Sequence, residues 1–309
     1  MALFNILIFP GLLFLEAYAL FMSFADRKIT ARLQNRQGPP WYQPLADFLK
    51  LLGKETTVPE GTDQRVFRLA PIIGLAAVVT AYLYIPIWYA ESLFLFDGDI
   101  IIAAYLLTIP TLCFFIESWF SSGINKTNSS ADILLRLFSC EIPLFMALLA
   151  PSLLAQSWSI SGISQYYAAH PLYILINLPS LFVILIASQG KLSRNQYSVA
   201  GDEHDAISNT FANYSGKFLA ILRLTLDSEL VVICSLVAAI FLPFYIGHPL
   251  ADFGLYIAKT MLLLFVLAVC RSITSRIRTD QLTNICWKLL TPITFVQIII
   301  NLLLKGVLA

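Results

Sequence analysis

Eight long apolar stretches divide the chain, near residues 2–25, 70–90, 100–120, 133–156, 171–190, 218–245, 252–270 and 285–304. Each is close to the ~20-residue helix that crosses ~30 Å of hydrocarbon, and the connections between them are polar or contain Pro and Gly. The pattern predicts an all-α integral membrane protein, a single membrane domain over 1–309 with about eight transmembrane helices. The first run is too long for a signal-peptide core, has no basic residue before it and no small-residue cleavage site after it, so it is read as a retained helix. A different pattern occupies 44–54, PLADFLKLLGK. There Leu45, Phe48, Leu49 and Leu52 fall on one helical face, and Asp47, Lys50 and Lys54 on another. This predicts an amphipathic helix that either lies in the membrane interface or packs on a partner subunit.

Composition agrees with the pattern. Apolar residues make up 58% of the 309 and charged ones 13%, against roughly 25% charged in soluble domains. The net charge of +1 offers no basis for binding nucleic acid. Lys and Arg are one-sided: the first connection carries Arg27, Lys28, Arg32, Arg36, Lys50, Lys54, Arg65 and Arg68. The third carries Lys126, the fifth Lys191, Arg194 and Lys217, and the seventh Arg271, Arg276 and Arg278. The alternate connections, 91–99, 157–170 and 246–251, carry none. Because cytoplasmic loops hold the basic excess, a multi-pass protein of the cell (inner, cytoplasmic) membrane is expected, with both termini on the outer face.

Cys113, Cys140, Cys234, Cys270 and Cys286 are isolated in or beside apolar runs, without the short spacing of an iron-sulfur or zinc site. His170, His204 and His248 fall in three different loops or loop edges. No metal or cofactor on this chain is expected. Phosphate-loop, dinucleotide-binding and nucleophile motifs are also absent from the sequence.

The chemistry lies in charges placed inside apolar runs, which cost several kcal/mol and usually face a bundle interior or a water-filled path. Glu16 sits mid-run in the first helix, Glu117 near the end of the third, Glu141 in the fourth, and Arg223, Asp227 and Glu229 in the sixth. Asp132 and Arg136 precede Glu141, and Arg223 is four residues from Asp227, close enough on one face to pair. Lys259 lies about two turns into the seventh run. For Arg136, Glu117 and Lys259, snorkelling from a helix end to water is the competing reading. Glu141 is followed by Pro143, and an internal proline frees a carbonyl one turn back, which needs water or a polar neighbour. Glu141 is therefore the leading candidate for a proton path.

Four segments carry a family resemblance: DRKITARLQNRQGPPWYQPLADFLKLLGKE at 26–55, FSCEIPL at 138–144, NYSGKFLA at 213–220 and RIRTDQLTNICWKLLTPIT at 276–294. In this order, over nearly the full length, they resemble the H-type (subunit 1) membrane protein of complex I and its relatives in energy-converting membrane-bound nickel-iron hydrogenases of the formate hydrogenlyase kind. The resemblance implies a non-catalytic membrane-anchor and coupling subunit of an ion-translocating oxidoreductase, contributing to a proton or Na+ path. Partners implied are peripheral iron-sulfur and hydrogenase-like subunits on the cytoplasmic face and antiporter-like membrane subunits, with iron-sulfur clusters and a NiFe centre on the partners. Glu141 matches the family's fourth-helix glutamate, and Glu203 and Asp205 match two acids of the loop after the fifth helix. Docking residues implied are Asp26, Arg27, Arg32, Arg36, Asp47, Lys50 and Lys54 in the first loop, with Arg276, Arg278 and Asp280 after the seventh helix.

Three departures bear on function. The stretch Gly38–Pro44 is short, as in the hydrogenase-type relatives, which weighs against the alternative of a quinone-binding subunit of a respiratory NADH:quinone-type complex. The loop SRNQYSVAGDEHDAISN lacks the family's Pro-Phe-Asp segment and has Gly201 where a glutamate is expected. Asp132 stands where relatives have arginine, which leaves Arg136 as the expected partner of Glu141. An alternative of another class, a stand-alone secondary transporter, fits less well because the sequence shows no internal repeat with matching broken helices.

Overall fold

A computed structural model of the chain describes residues 2–58, 61–87, 94, 96–120, 126–192, 214–273 and 279–308. Among them the regular structure is all helical: α1 (Ala2–Leu7), α2 (Leu12–Leu33), α3 (Gln43–Gly53), α4 (Gln64–Leu83), α5 (Asp99–Phe120), α6 (Lys126–Ala155) and α7 (Ile160–Ala169) come first. They are followed by α8 (Leu172–Ile176), α9 (Leu178–Lys191), α10 (Gly216–Phe241), α11 (Pro249–Ile273), α12 (Thr279–Ile285) and α13 (Thr291–Leu308), the last two joined by a π-helical turn, Cys286–Leu290.

Seven helical stretches among the described residues are long and apolar enough to cross a membrane, and a shorter apolar helix, Leu178–Lys191, occupies the remaining expected run. The run expected to span 171–190 is interrupted. It forms the five-residue α8 and the 14-residue α9, broken at Asn177 with Pro179 in the first turn of α9. Proline has no N–H to continue the ladder and its ring excludes a preceding carbonyl, which accounts for the break. The first expected span, 2–25, is likewise divided around Pro10 and Gly11, and α2 runs eight residues past residue 25 to Leu33. The basic residues at its end are therefore helical rather than part of a loop.

At the centre of the bundle stands α10, which is buried on every side from Leu230 to Phe241. A helix apolar all round belongs in such a position. Against it pack α2, α4 and α11, while α5, α6, α9 and α13 continue the bundle to one side. The break at Asn177 is closed by amides: Asn301 Nδ2 donates to Ala150 O at 2.7 Å and to Asn177 Oδ1 at 2.8 Å, and Gln297 Nε2 donates to Ile176 O at 2.9 Å. Asn177 in turn donates to Tyr167 Oη at 2.9 Å. In hydrocarbon, an interrupted backbone persists only where such partners satisfy it.

The NYSGKFLA motif seats the first loop on α10. Tyr214 stacks on Phe67 with ring centroids 4.0 Å apart, and Ser215 Oγ accepts the Thr57 N–H at 2.7 Å. Gly216 has φ +60, and a Cβ there would lie 2.7 Å from Lys54 O, so conformation and space both demand glycine. Helix α3 packs against α10 and leaves Leu45 and Leu49 exposed while Phe48 and Leu52 are half-buried. The four leucine and phenylalanine positions fall within about 100° of one another and share one face, whose Phe48 and Leu52 edge is half-buried and whose Leu45 and Leu49 edge is open.

Candidate ion-path site

The α5, α6, α9 and α10 helices bring three charged groups together in the interior. Lys191 Nζ lies 2.5 Å from Glu141 Oε1 and 3.4 Å from Glu229 Oε1, with all three side chains at most 7% exposed. Two neutral acceptors complete the lysine's shell, Leu107 O at 2.8 Å and Thr111 Oγ1 at 3.3 Å, on either side of Pro110 in α5. Two carboxylates and one ammonium carry a formal charge of −1 when all are ionised. One added proton brings the site to neutrality. A buried pair is a weak source of net stability but a costly one to break from one side.

The one-dimensional pattern puts Lys191 in a cytoplasmic connection and gives Glu141 the partner Arg136. Both are corrected. Arg136 is itself buried, but it precedes Glu141 by five residues, about 140° round the helix, and so faces elsewhere. Lys191 is obscured in the sequence because α9 reaches one residue beyond the expected end of the span at 190 and ends inside, its last turn closed by Leu192 N–H on Ser188 O at 2.9 Å. The one signal available is a lone lysine at the end of an apolar run without a second charge before it.

The other intramembrane charges divide into groups. Glu16 Oε2 accepts from Ser228 Oγ at 3.0 Å, and Asp227 lies within electrostatic reach of Glu16, so the first and sixth expected spans share a second acidic locus one residue from Glu229. Arg223 is exposed. Glu117 is 2% exposed and neither of its carboxyl oxygens has a hydrogen-bond partner among the described residues, which excludes the snorkelling reading for it. Lys259 fits snorkelling: it donates to Phe244 O at 2.6 Å and sits 4.8 Å from the Tyr245 ring centroid. Asp132 is half-buried. Glu203, Asp205, Arg276 and Arg278 lie outside the described residues.

On the loop side, Arg32, Arg36, Lys50, Lys54 and Asp280 are exposed, and Arg27 meets Asp47 at 3.5 Å with both side chains nearly half exposed. Asp26 differs. It is 4% exposed and bound by Arg271 at 3.1 Å, so it ties α2 to α11 rather than presenting a charge at the surface. Among the described residues no cluster of three or more His, Cys, Asp or Glu is placed to hold a metal ion.

Comparison with known proteins extends these observations. The family model described as NADH dehydrogenase matches residues 5–302. The chain is 30% identical to the H 1 subunit of NADH-quinone oxidoreductase of Geobacter metallireducens, over 96% of this chain and 93% of the relative. It is 29% identical to the H subunit of NADH-quinone oxidoreductase of Geobacillus kaustophilus, over 98% and 95%. Its fold is shared with a chain of the membrane-bound sulfane sulfur reductase, an archaeal respiratory membrane complex, at TM-score 0.80, 23% identity and coverage of 94% and 97%. With an all-helical architecture of membrane-spanning length, a family match over residues 5–302 and a 30% identical H subunit matched over 93% of its length, the chain belongs to the NADH dehydrogenase family of H-type membrane subunits.

Proposed function

We propose that this chain is the membrane-anchor and coupling subunit of a hydrogenase-type or complex I-like oxidoreductase, and that the Lys191–Glu141–Glu229 site is part of its proton or Na+ path. The observation that carries the reading is a single buried ammonium shared by two carboxylates on different helices. A scaffold has no need of the second carboxylate; a conduit uses it as the alternative acceptor. Glu16, Glu117, Asp132, Arg136, Arg223 and Asp227, with Glu203 and Asp205 of the loop, are assigned to the same polar route. Arg27, Arg32, Arg36, Asp47, Lys50, Lys54, Arg276, Arg278 and Asp280 are assigned to docking of a peripheral arm on the cytoplasmic face, with Asp26 holding α2, the helix that carries Arg27 and Arg32.

In this reading the iron-sulfur clusters and the NiFe centre reside on partner subunits, antiporter-like membrane subunits adjoin the bundle, and both termini face outward from the inner membrane. The test is Glu141→Gln in the assembled, membrane-embedded complex. Electron transfer to an artificial acceptor persists while ions moved per electron fall at least fivefold. Unchanged ion movement would remove Glu141 from the path.

A further inference from the structure

The two residues that precede the partners of the ion pair in sequence touch each other. Gly190, next to Lys191, approaches Cys140, next to Glu141, so closely that a Cβ on residue 190 would lie 2.5 Å from Cys140 Sγ. The same sulfur lies 3.9 Å from Cys286 Sγ, the first residue of the π-helical turn, and both thiols are 0% exposed. Leu282 of α12 closes the contact from the loop side, with a methyl 3.4 Å from that Cβ position. Thus α6, α9 and the start of the last helix meet at one sulfur, one residue away from the charge pair.

We propose that the Gly190–Cys140–Cys286 contact is a positioning device that sets how Lys191 is divided between Glu141 and Glu229, and that the π-helical turn allows α12 to move it. This rests on the functional reading of the Lys191 site. The separations there differ by less than 1 Å, 2.5 against 3.4 Å, so a displacement of that order where α9 crosses α6 is enough to exchange the nearer acceptor. A π turn carries one residue more than an α turn and, rare as it is inside helices, is frequently found at functional sites. Here its first carbonyl, Cys286 O, accepts both the N–H and, at 2.8 Å, the hydroxyl of Thr291, which keeps the widened turn bonded. Helix α12 begins at Thr279, directly after the basic segment assigned to docking, so motion of a docked arm reaches the sulfur contact through seven helical residues. The glycine is what allows the approach, because any side chain at 190 pushes the helices apart.

The experiment uses the assembled complex in sealed membrane vesicles and reads ions moved per electron, with electron transfer and complex content measured alongside. Gly190→Ala is expected to lower the ratio at least fivefold, and Cys140→Ala, which loosens the contact, two- to threefold. The double variant Gly190→Ala/Cys140→Ala moves a methyl-sized volume from one side of the crossing to the other and is expected to return the ratio to within twofold of the parent. A general loss of packing changes complex content and electron transfer too, not the ratio alone. An unchanged ratio in Gly190→Ala, or a loss that Cys140→Ala does not restore, overturns the proposal. If Gly190→Ala prevents assembly, Cys140→Ala and the double variant decide by the same criterion. Lys191→Met separates the two readings: if it leaves the ratio intact, the ion-path reading itself falls, whereas loss of the ratio in Lys191→Met without the Gly190 and Cys140 effects overturns only the positioning device.

Discussion

Lys191→Met and Glu141→Gln remove the two ends of one 2.5 Å contact, yet the structure predicts unequal costs. Methionine matches the apolar stem of lysine as far as Cε but withdraws the ammonium from Glu141, Glu229, Leu107 O and Thr111 Oγ1 together. Two carboxylates then share a site with no cation, and breaking a buried pair from that side costs about 3–5 kcal/mol. That corresponds to roughly a hundredfold to several-thousandfold in the folded-to-unfolded ratio. Glutamine at 141 still accepts a hydrogen bond from Lys191, which keeps Glu229 as its counter-ion, and the loss is about 1 kcal/mol. Adding Glu141→Gln to Lys191→Met leaves one carboxylate instead of two and recovers part of the stability. The assay is thermal challenge of the detergent-solubilised complex followed by size-exclusion detection of this chain. A Lys191→Met protein as resistant as Glu141→Gln, or a double variant weaker than Lys191→Met alone, would refute the charge-balance argument.

Glu117→Leu removes two unpartnered carboxyl oxygens from an apolar cluster and is expected to raise thermal resistance by the equivalent of about 1–3 kcal/mol, checked in the same heating assay; ion movement, measured separately, falls if Glu117 lies on the route. Arg271→Ala leaves Asp26 buried without its 3.1 Å partner and lowers stability by about 3 kcal/mol, and adding Asp26→Asn recovers part of it. Asn301→Leu takes the side-chain donor from Ala150 O and the nearer of two donors from Asn177 Oδ1, which keeps Gln297 Nε2 at 3.3 Å, a loss of about 1–3 kcal/mol, read as increased protease cleavage between α8 and α9.

The membrane class and the positions of the long helices follow from apolar run length, because hydrocarbon thickness is a strong one-dimensional constraint. Helix interruptions are harder to read. Pro10 and Pro179 break their runs, whereas Pro110, Pro143 and Pro151 lie within continuous helices, so the proline by itself does not tell an interruption from a continuous helix. The acids Glu141 and Glu229 stand out in the sequence, since a charge costs too much in an apolar run to persist there without a partner or a task. Their partner does not, because Lys191 sits at a run's end, where a lysine ordinarily reaches water. Pairing between residues 50 or more positions apart is a property of helix packing, which local pattern does not encode. The same holds for Asp26, whose partner Arg271 lies 245 positions away.

The amide closure at Asn177 also has a bearing on how the chain is made. Its donors, Gln297 and Asn301, follow Asn177 by 120 and 124 residues. At roughly 5–20 residues per second, synthesis leaves the broken α8–α9 segment without them for about 6–25 seconds. Throughout that interval its free carbonyls need water or a borrowed polar partner, because hydrocarbon supplies none. The fifth apolar segment therefore gains these donors only when α13 packs against it, well after its own synthesis.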